Sequence, residues 1–140
     1  MKQKPKDNQH RTVKFVLQLA AGATFVIGLS TLFAPQLIVR WFDGFGGPNL
    51  HLVRFLGTAL IGFSVTNWLY SQFDDLTIVV PAIYGNLTSL GLALIVDSLG
   101  LAFHKLNRAA WLILIVHIIF IAAFSYCVVL IKSSERRQDI

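Results

Sequence analysis

Four long runs of apolar residues occupy most of this chain. They extend over residues 13–34, 50–70, 78–103 and 109–131, and each contains almost no charged residue. A helix needs about 20 mostly apolar residues to cross a membrane. The runs leave no room for a separate soluble domain in 140 residues. The sequence therefore predicts one all-α membrane domain with four transmembrane helices, and mobile tails at residues 1–9 and 133–140.

The charged residues concentrate outside the apolar runs. They make up only 14% of the chain, whereas a soluble domain carries about a quarter. Most basic residues flank the first and last runs, a distribution typical of cytoplasmic helix ends that contact anionic lipid, so no nucleic-acid partner is expected. With both termini inside, eight Lys and Arg residues lie on the inner side and four on the outer side, which predicts an N-in/C-in orientation. The eight are Lys2, Lys4, Lys6, Arg11, Lys14, Lys132, Arg136 and Arg137, and the four are Arg40, Arg54, Lys105 and Arg108.

The connections between the runs are short, apart from the first. Pro35 cannot continue a helix without loss of a backbone hydrogen bond, so the first span is expected to end there, before interfacial helical turns at residues 36–42. Short connections make consecutive helices antiparallel neighbours, which predicts an antiparallel four-helix bundle. Asp74 and Asp75, between the second and third spans, are expected to cap the third helix or to stay solvated.

Two stripes of small and polar residues repeat every four positions, so each lies along one face of a helix. The 54–66 stripe consists of Arg54, Thr58, Gly62 and Thr66, and the 85–97 stripe consists of Gly85, Ser89, Ala93 and Asp97. In an antiparallel hairpin that turns near Asp75, residue 54 faces residue 97 and residue 66 faces residue 85. Small residues allow helix backbones to approach closely in lipid. We therefore expect the stripes to form a packed seam that pairs Arg54 with Asp97.

Asp97 is the only acidic residue inside the four runs. A charged side chain at the centre of a spanning helix costs about 2.5–3.5 kcal/mol, so it requires a partner or a wet cavity. Arg54 is the first candidate, and His117 in the fourth run lies at a similar depth. This cluster is either an ion pair that locks the hairpin or an ionisable centre for a proton, an ion or a polar headgroup. His117 either relays protons with Asp97 or stays neutral and donates to a carbonyl or hydroxyl group.

Further small and polar residues indicate helix contacts. In the first run, Ala20, Thr24, Gly28 and Thr31 suggest a packed face. Asn67 and Asn86 either line a polar pocket, together with Trp68, or form interhelical hydrogen bonds of about 0.6 kcal/mol each.

The remaining polar residues assemble no recognisable catalytic or metal site. The zinc-ligand types near the outer interface are His51, His104, His117, Asp43 and Asp97. No short paired spacing such as H-x-x-x-H joins them. No nucleophile lies beside a base, and Cys127 is the only cysteine. We therefore expect no enzyme activity, no metal and no cofactor.

Two segments resemble the small bacterial four-helix membrane proteins of the DoxX-like kind. Residues 32–35 (LFAP) close the first span with a proline, and residues 54–62 (RFLGTALIG) open the second with Arg-x-x-Gly. The resemblance covers roughly the first half of the chain. It implies a four-helix bundle in a bacterial inner membrane, and it implies no catalytic residue.

The sequence favours a non-enzymatic membrane subunit that self-associates or joins a larger membrane complex. Four short helices enclose little interior, so small and aromatic faces remain for association with lipids and other membrane proteins. One alternative is a small oligomeric transporter or channel with Arg54, Asp97 and His117 as its polar pathway. The other is a lipid- or quinone-binding protein, whose cleft would be lined by Trp68, Tyr84, Phe103 and Trp111.

Overall fold

The computed structural model describes residues 5–42, 50–103 and 110–136, and every regular element in these ranges is an α-helix. The elements are α1 (Pro5–Phe33), α2 (Pro35–Phe42), α3 (Leu50–Tyr70), α4 (Leu76–Ala102) and α5 (Ala110–Arg136). All except α2 are long and apolar enough to cross a membrane. This confirms the predicted all-α chain with four candidate membrane spans.

The first and last helices extend beyond the predicted spans. α1 begins at Pro5 and α5 continues to Arg136, so parts of the predicted tails are helical. The amide of Gln9 donates to the hydroxyl of Ser133 at 3.3 Å, which links the beginning of α1 to the end of α5. Residues 1–4 and 137–140 lie outside the described residues.

Pro35 separates α1 from α2, as predicted. α1 ends at Phe33, and the Ala34 N–H still donates to the Ser30 carbonyl at 2.9 Å. Proline is compatible with the first position of the next helix, because a backbone N–H there would lack an intrahelical partner anyway. Residues 36–42 are helical, as expected.

The most extensive contact between helices joins α1 to α3. A methyl group added at Gly57 would lie 2.7 Å from the Leu32 nitrogen and 2.8 Å from the Gly28 carbonyl oxygen. Farther along the contact, the buried Ser64 hydroxyl donates to the Ala21 carbonyl at 2.7 Å. Ala21 of α1 contacts Ser64 of α3, whereas Gly28, later in α1, contacts Gly57, earlier in α3. The two helices are therefore antiparallel where they touch. The paired glycines bring backbone against backbone.

The shared core lies at one end of the molecule. We call the end with the α3–α4 turn the core end, and the end where α1 finishes and α5 begins the far end. The core contains Val13, Val16, Leu17 and Ala20 of α1, Leu76, Val79 and Ile83 of α4, and Phe124, Cys127 and Ile131 of α5. Towards the far end, residues 87–102 of α4 and 111–123 of α5 include no buried residue. The α1/α3 and α4/α5 pairs therefore share a core only at the core end.

The turn between α3 and α4 contains two acidic residues with different partners. Asp75 caps α4, since its carboxylate accepts from the Thr77 hydroxyl at 2.8 Å and the Thr77 N–H at 2.9 Å. These hydrogen bonds lower the pKa of Asp75. Asp74 instead accepts from the Lys14 ammonium of α1 at 2.6 Å, and this bond lowers the pKa of Asp74. The capping prediction is confirmed for Asp75, while the Lys14 contact was not predicted.

Candidate functional site

Asp97 and His117 meet inside the α4/α5 pair. Nδ1 of His117 lies 2.9 Å from Oδ2 of Asp97, and each side chain is about one-fifth exposed (21% and 20%). α4 and α5 are antiparallel: Asp97, late in α4, contacts His117, early in α5, whereas Ile83 and Ile131 line one groove at the core end. The structure thus brings together two of the three residues of the predicted polar cluster.

The Asp97–His117 pair has two chemical forms. A neutral imidazole with its proton on Nδ1 donates to the carboxylate and leaves Nε2 as an acceptor. A doubly protonated imidazole makes the contact an ion pair. In both forms the contact places two ionisable side chains against each other within the spans of α4 and α5.

Arg54 is not part of this pair. Its side chain is exposed on α3, and the ion pairs among the described residues are Lys14–Asp74 and His117–Asp97. The predicted Arg54–Asp97 ion pair is therefore wrong within one chain. The Gly28–Gly57 contact holds this part of α3 against α1, whereas Asp97 belongs to the part of α4 that buries no residue.

The predicted seam between the two stripes is also wrong within one chain. The Thr58 and Thr66 hydroxyls donate to carbonyl oxygens of their own helix, at 2.7 Å and 3.0 Å. A methyl group added at Gly62 or Gly85 would meet nothing within 4 Å. The exposed members of the stripes are Arg54, Thr58, Gly62, Thr66, Gly85 and Ser89, and the half-buried ones are Ala93 and Asp97. An i+4 repeat identifies a helix face but not its partner, and α3 uses another face against α1.

Asn67 and Asn86 connect α3 to α4 near the core end. Each side-chain amide donates to the other's carbonyl oxygen, at 3.2 Å and 2.7 Å, and both residues are buried. The Asn86 amide also donates to the Ala82 carbonyl at 2.7 Å. These contacts confirm the hydrogen-bond interpretation of the two asparagines.

The aromatic residues of the predicted lipid or quinone cleft do not enclose one. All four are exposed: Trp68, Tyr84, Phe103 and Trp111. A groove of about 140 Å³ lies instead between α4 and α5 at the core end, lined by Val80, Ile83, Tyr84, Val128, Ile131 and Lys132. Only Tyr84 is common to both sets, so lipid or quinone binding stays a prediction.

The zinc-ligand types are only partly within the described residues. Asp43 and His104 lie outside them, and within the described ranges no three His, Cys, Asp or Glu side chains converge as a metal site would require. Cys127 is buried in the core.

A protein family matches most of the chain. Residues 18–138 fit the model of a family described as a domain of unknown function, DUF8292. The chain belongs to this family. The DUF8292 match includes Arg54, Asp97 and His117 and both stripes, although its description assigns no activity. Neither curated proteins nor solved structures give a match, so the resemblance to DoxX-like proteins stays a prediction.

Proposed function

We propose that this DUF8292 protein is a non-enzymatic subunit of a membrane assembly, either a homo-oligomer or a larger complex. In this proposal the chain forms an antiparallel four-helix bundle in a bacterial inner membrane, with both termini in the cytoplasm. One observation carries the proposal. The far half of α4 and α5 contains the Asp97–His117 pair, yet no residue there is buried against the rest of the chain.

The cost of polar groups in lipid explains why this observation points to association. Ionisable residues within spans almost always face other helices or a wet cavity. In a single chain, Asp97 and His117 are one-fifth exposed and Arg54 is exposed on a neighbouring span. A further protein surface over the far half of the helices would remove these groups from lipid.

Purification in mild detergent tests the proposed association. We expect particles heavier than a single 15.6 kDa chain, composed either of several copies or of this chain with other membrane proteins. Native mass spectrometry from membrane nanodiscs gives the mass and identifies every component. A lone chain in both preparations would contradict the proposal.

The orientation is supported by the distribution of basic residues, eight towards the termini and four towards the other side. It is tested with single cysteines in a Cys127→Ala background. Gln36→Cys lies near the far end and Gln72→Cys at the turn, and both side chains are exposed. A membrane-impermeant maleimide should label Gln36→Cys in intact cells and Gln72→Cys only after permeabilisation. The reverse pattern would overturn the orientation.

A second candidate function, proton or ion transport, is favoured by the 2.9 Å contact between Asp97 and His117. A carboxylate and an imidazole at this distance are able to exchange a proton. The test is flux into proteoliposomes under a pH or ion gradient. Asp97→Asn should abolish the flux and leave the folded protein intact, and an unchanged flux would exclude this pathway.

A further inference from the structure

The 54–66 and 85–97 stripes match in spacing and length, although they do not meet within one chain. Each has four residues at four-residue intervals and covers about 18 Å of helix at 1.5 Å per residue. Each also places its ionisable residue at the far end, with Arg54 on α3 and Asp97 on α4. Two such faces fit each other only when their helices run in opposite directions.

The charges of the two faces are complementary and only partly satisfied. Arg54 forms no ion pair within the described residues, and Asp97 contacts His117 through Oδ2. Oδ1 of Asp97 has no hydrogen-bond partner among the described residues, so the carboxylate is able to accept from a second donor. A guanidinium group is the side chain that best binds a carboxylate, through charge-assisted and often bidentate hydrogen bonds.

The backbone on both faces is accessible. A methyl group placed on Gly62 or Gly85 would meet no atom within 4 Å beyond the adjoining backbone of its own helix, and Thr58, Thr66 and Ser89 are exposed. A partner helix is therefore able to approach the whole 54–66 stripe and the Gly85 and Ser89 part of the other stripe, and it reaches the half-buried Ala93 and Asp97 at the edge of the α4/α5 contact. Small residues favour such close approach in lipid, where dispersion contacts rather than hydrophobic burial drive helix association.

We propose that a second copy of this chain supplies the missing partner. The 54–66 stripe of one copy packs on the 85–97 stripe of the other, and Arg54 binds Asp97 between the copies. This inference rests on the proposed function and names the partner of the same surface. Copies inserted in the same orientation present α3 and α4 to each other in opposite directions. Arg54 of one copy and Asp97 of the other then lie at the same depth.

Disulfide trapping between tagged copies tests the register. In a Cys127→Ala background, a copy with Thr58→Cys and a differently tagged copy with Ala93→Cys are co-expressed and oxidised in the membrane. We expect a disulfide dimer that carries both tags. The matched control combines Thr58→Cys with Gly85→Cys, about 12 Å from position 93 along α4 and beyond the roughly 7 Å Cα separation that a disulfide tolerates. Its yield should be at least about tenfold lower.

A charge exchange tests the ion pair. Arg54→Asp alone places two carboxylates together, and Asp97→Arg alone places two guanidinium groups together, so each should weaken self-association about tenfold or more. A mixture of the two variants restores an opposite-charge contact. Energy transfer between labelled copies in liposomes should be low for each variant and high for the mixture. Recovery in the mixture also shows that both variants are folded.

Two outcomes overturn the inference. They are a mixed-tag yield at the control level and no recovery in the charge-exchange mixture. If one of these occurs while native mass spectrometry still shows an assembly, the second-copy interface is wrong and the proposed function stands. A protein that is also monomeric by mass would refute both, and Arg54 would then bind lipid phosphate.

Discussion

The α1/α3 pair and the α4/α5 pair bring apolar helices together by different means. α1 and α3 contact through their backbones at Gly28 and Gly57, where an added methyl group would lie 3.0 Å or less from an opposing oxygen. α4 and α5 pack through side chains around Ile83 and Phe124, and their contact is buried only at the core end. The contact between Gly28 and Gly57 lies near the far end, whereas the buried contact of α4 with α5 extends no farther than Ile83 and Phe124.

This difference determines which polar residues find partners in one chain. α3 contacts α1 far more extensively than it contacts α4. Ser64 and Asn67 are satisfied across helix contacts, whereas Arg54 is left on an exposed face.

The largest expected effect comes from a methyl group at the α1/α3 contact. Gly57→Ala places a carbon within 2.7–2.8 Å of backbone atoms that cannot rotate away, so we expect a loss of about 1–3 kcal/mol in the free energy of unfolding. Gly22→Ala is the control, since its added methyl group meets nothing within 4 Å. Unfolding in detergent with increasing denaturant measures both. Equal stability of the two variants would contradict backbone contact at Gly57.

A somewhat smaller effect is expected at the only side-chain hydrogen bonds between α3 and α4 among the described residues. Asn67→Leu or Asn86→Leu leaves a buried amide without its partner, which costs about 1–2 kcal/mol. The double variant should lose clearly less than the sum, because neither amide then remains to be satisfied. Additive losses in the unfolding free energy would show that the two amides do not interact.

The asparagine pair also shows where sequence reasoning succeeded. Local signals predicted the spans, the break at Pro35 and the Asp75 cap, since hydropathy, proline geometry and capping depend on neighbouring residues. The predicted register placed residue 66 opposite residue 85, close to the observed contact of Asn67 with Asn86. The hairpin prediction is therefore nearly right beside the turn, where the short connection keeps α3 and α4 together.

The prediction failed farther from the turn because helix partners are chosen by contacts across the whole fold. Gly57 lies next to Thr58 in sequence but is rotated by about 100° around the helix, so it belongs to a different face. A packed face of α1 that includes Gly28 was recognised from the sequence, yet nothing local showed that Gly57 opposes it. The Lys14–Asp74 ion pair gave no sequence signal, because exposed charges next to a turn are common.

A smaller loss of stability is expected when one hydroxyl group is removed from the α1/α3 contact. Ser64 donates across the α1/α3 contact, so Ser64→Ala should cost about 0.6 kcal/mol, the typical value for a hydrogen bond between membrane helices. Ser98→Ala is the matched control, since that hydroxyl donates to Leu94 in its own helix and is exposed. Its unfolding free energy should stay closer to that of the unmodified protein. A reversed order would indicate that the Ser64 bond is not retained in the membrane.

The smallest expected effect is the acid sensitivity of the core end. Lys14 lowers the pKa of Asp74, and Thr77 lowers that of Asp75, from an ordinary value of 3.8. As pH falls, the unfolded chain therefore takes up protons before the folded chain does. The stability from these contacts is present above pH 3.8 and is lost as pH falls through the lower folded pKa values. Both carboxylates are fully exposed, so solvent keeps the contribution small.

Thermal unfolding in detergent, from neutral pH to below pH 3.8, measures this contribution. Lys14→Gln should flatten the part due to Asp74 and leave the part due to Asp75. Thr77→Val should reduce the part due to Asp75, because only the backbone N–H then donates, and should leave the part due to Asp74. The two variants thus separate a contact that joins α1 to the turn from one that only caps α4. If Lys14→Gln leaves the acid profile unchanged, the Lys14–Asp74 contact does not hold α1 to the turn. At the core end, α1 would then depend on its buried apolar residues and on the hydrogen bond between Gln9 and Ser133.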